Sequence, residues 1–178
     1  MPLDPYYRKL VPLLGHIIVE HGNLEGDAGK MLARLNGHGD DVSAASYAAK
    51  HSFNEKIKAI EKLVASNVTD TDLASQFGTV LDEMTRVNRA RNIYIHSEYL
   101  AEVNHLEEVS GFHYRQIKQM GDVLDSTDPN SQIAVHRVDI RELNKLVEDM
   151  IALGVDMRAV AEKYFDGILF NPPPSPKE

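Results

Sequence analysis

The sequence predicts a mainly α fold, an up-and-down helical bundle of about four long helices with a small β-hairpin inserted before the last helix. Three observations predict it. Apolar residues recur at alternating spacings of three and four over long stretches, which marks one face of an α-helix. After Ser97 the period changes, and two short segments flank the run Glu107-Glu108-Val109-Ser110-Gly111, as the strands of a hairpin flank its turn. Asp139-x-x-Glu142 then reopens the helical pattern as a capping box.

Asp4-Pro5 reads as an N-cap and first helical residue. The stripe Leu10, Leu14, Ile17, His21, Leu24, Ala28, Met31, Leu35 carries one long first helix to Asn36-Gly37, with a bend expected near Pro12 or among the glycines from Gly22 to Gly29. Residues 36–41, with two glycines and two aspartates, form a loop. A second helix is expected from Val42 to Ser66, with Phe53, Ile57, Ile60 and Val64 on its core face. Asn67-Val68-Thr69-Asp70 is a turn, and either Thr69 or Asp70 caps the third helix, whose first-turn acid is Asp72. That helix carries Leu73, Phe77, Val80, Met84 and Val87 and ends near His96 or Ser97. Strands follow at Tyr99–His105 and Phe112–Lys118, then a loop at Gly121–Asn130 and a third short strand at Ile133–Val138. The last helix turns Ile140, Leu143, Val147, Met150, Met157, Val160 and Tyr164 inward. The Pro-rich residues 171–178 cannot continue it and are expected to be a disordered tail, which leaves residues 1–170 as a single helical domain.

A chain of 178 residues with 43% hydrophobic side chains is long enough to bury a core unaided. It has no cysteine, which excludes disulfides, thiolate metal sites and cysteine nucleophiles. The apolar run Leu10–Val19 is interrupted by Pro12 and His16 and is too short to span a bilayer, so a soluble, cytoplasmic protein without membrane association is expected. A net charge of −8 argues against nucleic-acid binding by bulk electrostatics. One local exception exists, because the segment from Arg86 to His96 holds Arg86, Arg89 and Arg91 and no acid.

Arg91 stands next in the apolar series that ends at Val87. A buried guanidinium needs a carboxylate, backbone carbonyls, a partner subunit or an anionic ligand. One bland account is a bridge between helices through Glu25, and the sharp one is phosphate binding. Asn92 and His96 are four apart and share a face, whereas Arg91 and His96 diverge by about 140° on an ideal helix. Only the length of the arginine or a facing second copy would bring those two together. His96 is equally readable as a histidine placed favourably on the helix C-terminal dipole.

An arginine, a polar residue and, after three more positions, a histidine at the end of a late helix resemble the HEPN superfamily. Arg91-Asn92-Ile93-Tyr94-Ile95-His96 fits the shortest form of its arginine-to-histidine spacing, and the layout from Asp4 to Phe170 is similar to that of uncharacterised bacterial HEPN-like proteins. The resemblance implies metal-independent RNA cleavage by a homodimer, with no cofactor and no metal, in a stress, toxin or phage-defence setting, and with a cognate antitoxin or other protein as a partner. It makes His96 a general acid or base at a ribose 2′-hydroxyl or a leaving oxygen, for which an ordinary histidine pKa of about 6.5 is suited. It gives Arg91 the scissile phosphate and Asn92 the orientation of either, with Arg86 and Arg89 as further RNA contacts. Toxins of the family paired with nucleotidyltransferase antitoxins carry a tyrosine two residues past the histidine. Here that residue is Glu98, and the tyrosine is Tyr99.

Other histidines invite metal readings. His16 and Glu20 are four apart on the first helix, yet no further ligands fall beside them. His21 lies on the apolar stripe, where a hydrogen-bonded core histidine is expected. His105, His113 and His136 sit in the three strand segments, where they either cluster or are simply solvated. No Gly-rich phosphate loop, nucleophile elbow or framed pair of catalytic acids is present. Two functions therefore stand side by side: an endoribonuclease, or a non-catalytic dimerisation or scaffold module in which the Arg91/His96 motif is structural.

Overall fold

The computed structural model describes residues 7–38, 41–105, 109–116 and 134–165, with the side chains of residues 41–44 left aside. The elements are α1 (Tyr7–Leu35), α2 (Asp41–Ala48), α3 (Phe53–Asn67), α4 (Thr71–Ile95), β1 (Ser97–Val103), β2 (Val109–Gln116), β3 (His136–Arg137) and α5 (Ile140–Phe165). The chain is mainly helical, with its antiparallel β element inserted before the last helix, as the periodicities predict. No helix among the described residues is long and apolar enough to cross a membrane. Asp4 and Pro5, the loop at Gly121–Asn130, Lys118, Ile133 and the proline-rich tail at 171–178 lie outside the described residues.

Residue contacts divide the chain into two compact units, one of residues 21–88 and 149–178 and the other of residues 1–20 and 89–148. The first is helical. Its buried side chains include Leu24, Met31 and Leu32 of α1, Phe53 and Ile60 of α3, Phe77, Met84 and Val87 of α4, and Met150, Leu153 and Met157 of α5. α1 ends in a Schellman turn: Gly37 takes a left-handed φ of 84°, its N–H donates to the Arg34 carbonyl, and the His38 N–H donates to Ala33.

The expected single helix from Val42 to Ser66 is two helices. Ser52 is extended and caps α3, its hydroxyl accepting the Glu55 N–H while the Glu55 carboxylate takes the Ser52 N–H at 2.7 Å. That reciprocal box satisfies the free donors of a new helix start, so the chain stops and restarts there. α2 approaches α1 so closely that a Cβ at Gly29 would stand 2.8 Å from that of Ala48. At α4 the cap is Asp70, which accepts the N–H groups of Asp72 and Leu73 at 2.9 and 3.0 Å.

The second unit carries the sheet, in the order β1-β2-β3, all antiparallel. The strands begin earlier than expected: β1 at Ser97, at the base of the hairpin, and β2 at Val109, at its turn end, so Val109, Ser110 and Gly111 belong to the strand, with a bulge at Glu102/Val103. Tyr99 pairs with Tyr114 and Tyr114 with His136, which puts all three on one face. Glu98, Glu102, His113, Arg115 and Arg137 take the other face, where Glu98 pairs with Arg115 at 2.7 Å. Asp139 caps α5 by accepting the Arg141 N–H at 2.8 Å. The other half of the expected box is spent elsewhere, because Glu142 accepts the Tyr94 hydroxyl at 3.1 Å.

Candidate functional site

The end of α4 is built by hydroxyl groups. A helix leaves its last carbonyls without intrahelical donors. Here the Ser97 hydroxyl donates to the Ile93 carbonyl, and the Tyr99 hydroxyl donates to the Tyr94 carbonyl at 2.7 Å. Tyr94 is buried; its ring lies 5.3 Å from that of Tyr114, which in turn stacks on His136 at 5.2 Å. Burial, reinforced by the bond to Glu142, pushes the Tyr94 hydroxyl pKa well up, and burial does the same to Tyr99. Both are therefore neutral donors that pin the turn before and after His96.

On this pinned turn Arg91 reaches His96 within one chain. Its Nη1 donates to the Asn92 side-chain oxygen at 2.8 Å and lies 3.2 Å from His96 Nε2. Because a guanidinium only donates, Nε2 is the acceptor in that contact. The divergence of five helical positions is closed by the arginine's own length, without a second copy. Glu25 is not its counter-ion, since that carboxylate takes the Lys56 ammonium at 2.9 Å. Among the described residues Arg91 has no carboxylate partner, and its Nε–H is buried without an acceptor. His96 itself is exposed. The site is thus a cation and a base lone pair side by side, with no carboxylate among the described residues compensating the cation's charge.

No family model, curated protein or solved structure matches this chain.

The other expected site residues separate. Arg89 is exposed. Arg86 is not a free phosphate contact: its Nε donates to both Glu83 oxygens at 2.9 and 2.8 Å and its Nη2 to Asp149, and the Glu83 hydrogen bonds raise its pKa further. Glu98, the acid two residues past His96, has its charge met by Arg115, whose Nε and Nη2 each approach one carboxylate oxygen at 2.7 Å. His21 is the expected core histidine, its Nε2 3.0 Å from Asn88 and its ring 4.8 Å from Phe53. His16 pairs with Glu20 at 3.3 Å. His113 faces Glu102 at 3.3 Å while His136 stacks on Tyr114 across the sheet, so the strand histidines do not converge. Among the described residues no group of three His, Asp or Glu side chains is arranged to hold a metal ion. An open groove of about 520 Å³ runs along Arg137–Arg141, and no residue of the Arg91 motif lines it. Sequence reasoning missed the supporting role of Tyr94 and Tyr99. Their signal was a tyrosine on either side of His96, two hydroxyls close to a helix end that lacks donors.

Proposed function

We propose that this chain is a metal-independent endoribonuclease of HEPN type in which His96, Arg91 and Asn92 act on one phosphodiester. The observation that carries the reading is the guanidinium of Arg91, held 3.2 Å from His96 Nε2 with no carboxylate among the described residues to neutralise it. A purely architectural arginine at a half-buried position is normally compensated, since an unmet buried donor costs about 1–3 kcal/mol. A phosphate would meet both the charge and the fork.

In this reading the RNA phosphate sits against Arg91, and Asn92 holds the guanidinium plane. His96 Nε2, an acceptor in the resting site, removes the proton from the adjacent ribose 2′-hydroxyl. The 2′ oxygen forms a bond to phosphorus, the bond to the 5′ oxygen breaks, and that oxygen is protonated by water. The imidazolium returns its proton to solvent. Arg91 stabilises the negative charge that builds on the equatorial oxygens. The products are a 2′,3′-cyclic phosphate and a 5′-hydroxyl. Arg89, exposed on the preceding turn, adds a contact to a neighbouring phosphate.

The competing function is a non-catalytic interaction module, and the net charge of −8 favours it, because RNA approaches an acidic protein against a repulsive field. Cleavage of a mixed RNA pool in EDTA decides between them. The parent is expected to leave cyclic phosphate ends, and His96→Ala and Arg91→Ala, with unchanged circular dichroism, are expected to leave the RNA intact. An inactive parent, or a variant as active as the parent, removes the nuclease reading.

A further inference from the structure

A row of aromatic rings crosses one face of the sheet, from the turn that carries His96 to the edge strand β3. Tyr99, Tyr114 and His136 stand in register on the three strands, so the row spans two strand spacings, about 10 Å. Its inner end is closed. Tyr94 is buried, with its ring 5.3 Å from that of Tyr114, and the Tyr99 ring lies 6.5 Å from Tyr114. Its outer end is open: the His136 ring stacks on Tyr114 at 5.2 Å and 27°, yet His136 is exposed and ends the sheet order. A near-parallel aromatic pair with one member in solvent is a stack that one more flat ring can extend.

We propose that His136 is a base-stacking residue of the RNA site, taking on its solvent side a nucleobase that neighbours the phosphate held by Arg91, a purine in preference to a pyrimidine. The proposal rests on the nuclease reading for that phosphate and adds to it a contact for the base. The row and the Arg91 motif belong to one compact unit, residues 1–20 and 89–148. They also share one turn, since the Tyr99 hydroxyl donates to the Tyr94 carbonyl at 2.7 Å, two residues before His96. The strand ladder, rather than a loop, therefore sets where His136 stands with respect to that turn.

Charge decides which kind of contact this edge can make. At a net charge of −8, RNA meets a repulsive field from the chain as a whole. The cations beside His136 are engaged, Arg137 with Glu102 at 3.5 Å and Arg141 with Asp139 at 3.0 Å. What remains is a ring face, and stacking draws little on charge. Aromatic side chains carried on a sheet take splayed bases of single strands in this way. A purine presents the larger face and so gains more from the contact.

The test uses the full chain and a short 2′-fluoro strand, which keeps the bases and phosphates of RNA but lacks the attacking hydroxyl, with 2-aminopurine at its centre. The parent is expected to bind the strand and quench the fluorescent base by stacking. His136→Ala, with unchanged circular dichroism, is expected to lose the quenching and to weaken binding about tenfold, by the same factor at low and high salt. His136→Phe, which keeps a flat ring without its nitrogens, is expected to restore both. Where the parent cuts a mixed RNA pool, purine is expected to be enriched at one position beside the cut, and His136→Ala to flatten that enrichment. An unquenched base overturns the proposal, as does tight binding by His136→Ala, a loss that vanishes at high salt, or His136→Phe no better than alanine. Binding is read without cleavage, so the two readings fail separately. Quenching through His136 by a parent that cuts no RNA removes the nuclease and keeps the stacking site, whereas cutting without quenching removes the stacking site alone.

Discussion

Lys56 and Arg91 are cations in corresponding trouble in two regions of the molecule. Lys56, in the helical unit, is 6% exposed, and Glu25 meets it at 2.9 Å. In the same unit the His21 ring is bonded to Asn88, whose amide donates onward to Asn54 at 2.8 Å. Arg91, in the sheet-bearing unit, has an amide, an imidazole and an orphaned Nε–H. At Lys56 and His21, where polar groups serve architecture, the chain supplies an opposite charge or a hydrogen bond. At Arg91 two neutral acceptors take Nη1, but no carboxylate among the described residues meets the charge and Nε–H has no acceptor; that difference is the physical reason to read one cation as structural and to propose the other as a ligand-binding group.

The sharpest way to break this comparison is to remove charge from each side. His96→Ala is expected to lower RNA cleavage by about 10²–10⁴ and Arg91→Ala by about 10²–10³, with unfolding free energies within about 1 kcal/mol of the parent, because Arg91→Ala also deletes an unsatisfied donor. Glu25→Ala should do the reverse. It leaves cleavage intact and costs about 2 kcal/mol in urea denaturation, less than a fully buried pair because Glu25 is more than a third exposed. If Arg91→Ala proves as destabilising as Glu25→Ala, the two cations are alike and the comparison fails.

A smaller effect tests whether the helical unit is as tightly closed as its polar groups suggest. Gly29→Ala would force a contact of 2.8 Å between two Cβ atoms, the second on Ala48. Overpacking of that kind costs about 1–3 kcal/mol, and alanine in place of helical glycine returns about 1 kcal/mol. A net loss of about 1 kcal/mol is expected, measured by thermal denaturation. A gain in stability would show that α2 moves aside freely.

The long apolar periodicities made α1, α4 and α5 readable, because a buried stripe of Leu, Ile, Val and Met needs no distant partner to be recognised. The break at Ser52 was written in Ser52-Phe53-Asn54-Glu55, yet a continuous spacing of apolar residues on either side concealed it. At the candidate site the motif itself was legible, and its closure was not. Ideal-helix angles place Arg91 and His96 apart, and only the length of a particular side chain decides otherwise. Arg86 shows the same limit in the opposite sense: nothing local to it names Asp149, sixty-three positions away, as the acid that occupies it. Likewise nothing local to Glu98 names its cross-strand neighbour Arg115, which meets its charge.

The smallest expected effect asks whether the deficit at Arg91 is confined to Arg91. Tyr94, Tyr99 and Tyr114 surround the same turn, and burial raises the pKa of all three above the ordinary 10.0, with Glu142 adding to the shift at Tyr94. A hydroxyl that holds its proton more tightly folded than unfolded stabilises the fold fully below the unfolded pKa. That contribution is lost as pH rises through about 10 and beyond. Stability followed by urea denaturation should therefore be insensitive to these groups near neutrality and fall on the alkaline side, phenolate absorbance rising together with loss of helical signal. Tyr94→Phe removes one hydroxyl and its bond to Glu142. It is expected to cost about 1 kcal/mol at neutral pH and to flatten the alkaline decline, since one fewer raised group remains to ionise. An unchanged slope in that variant would mean that the Tyr94 hydroxyl is no better held than a free one and does not pin the turn under His96.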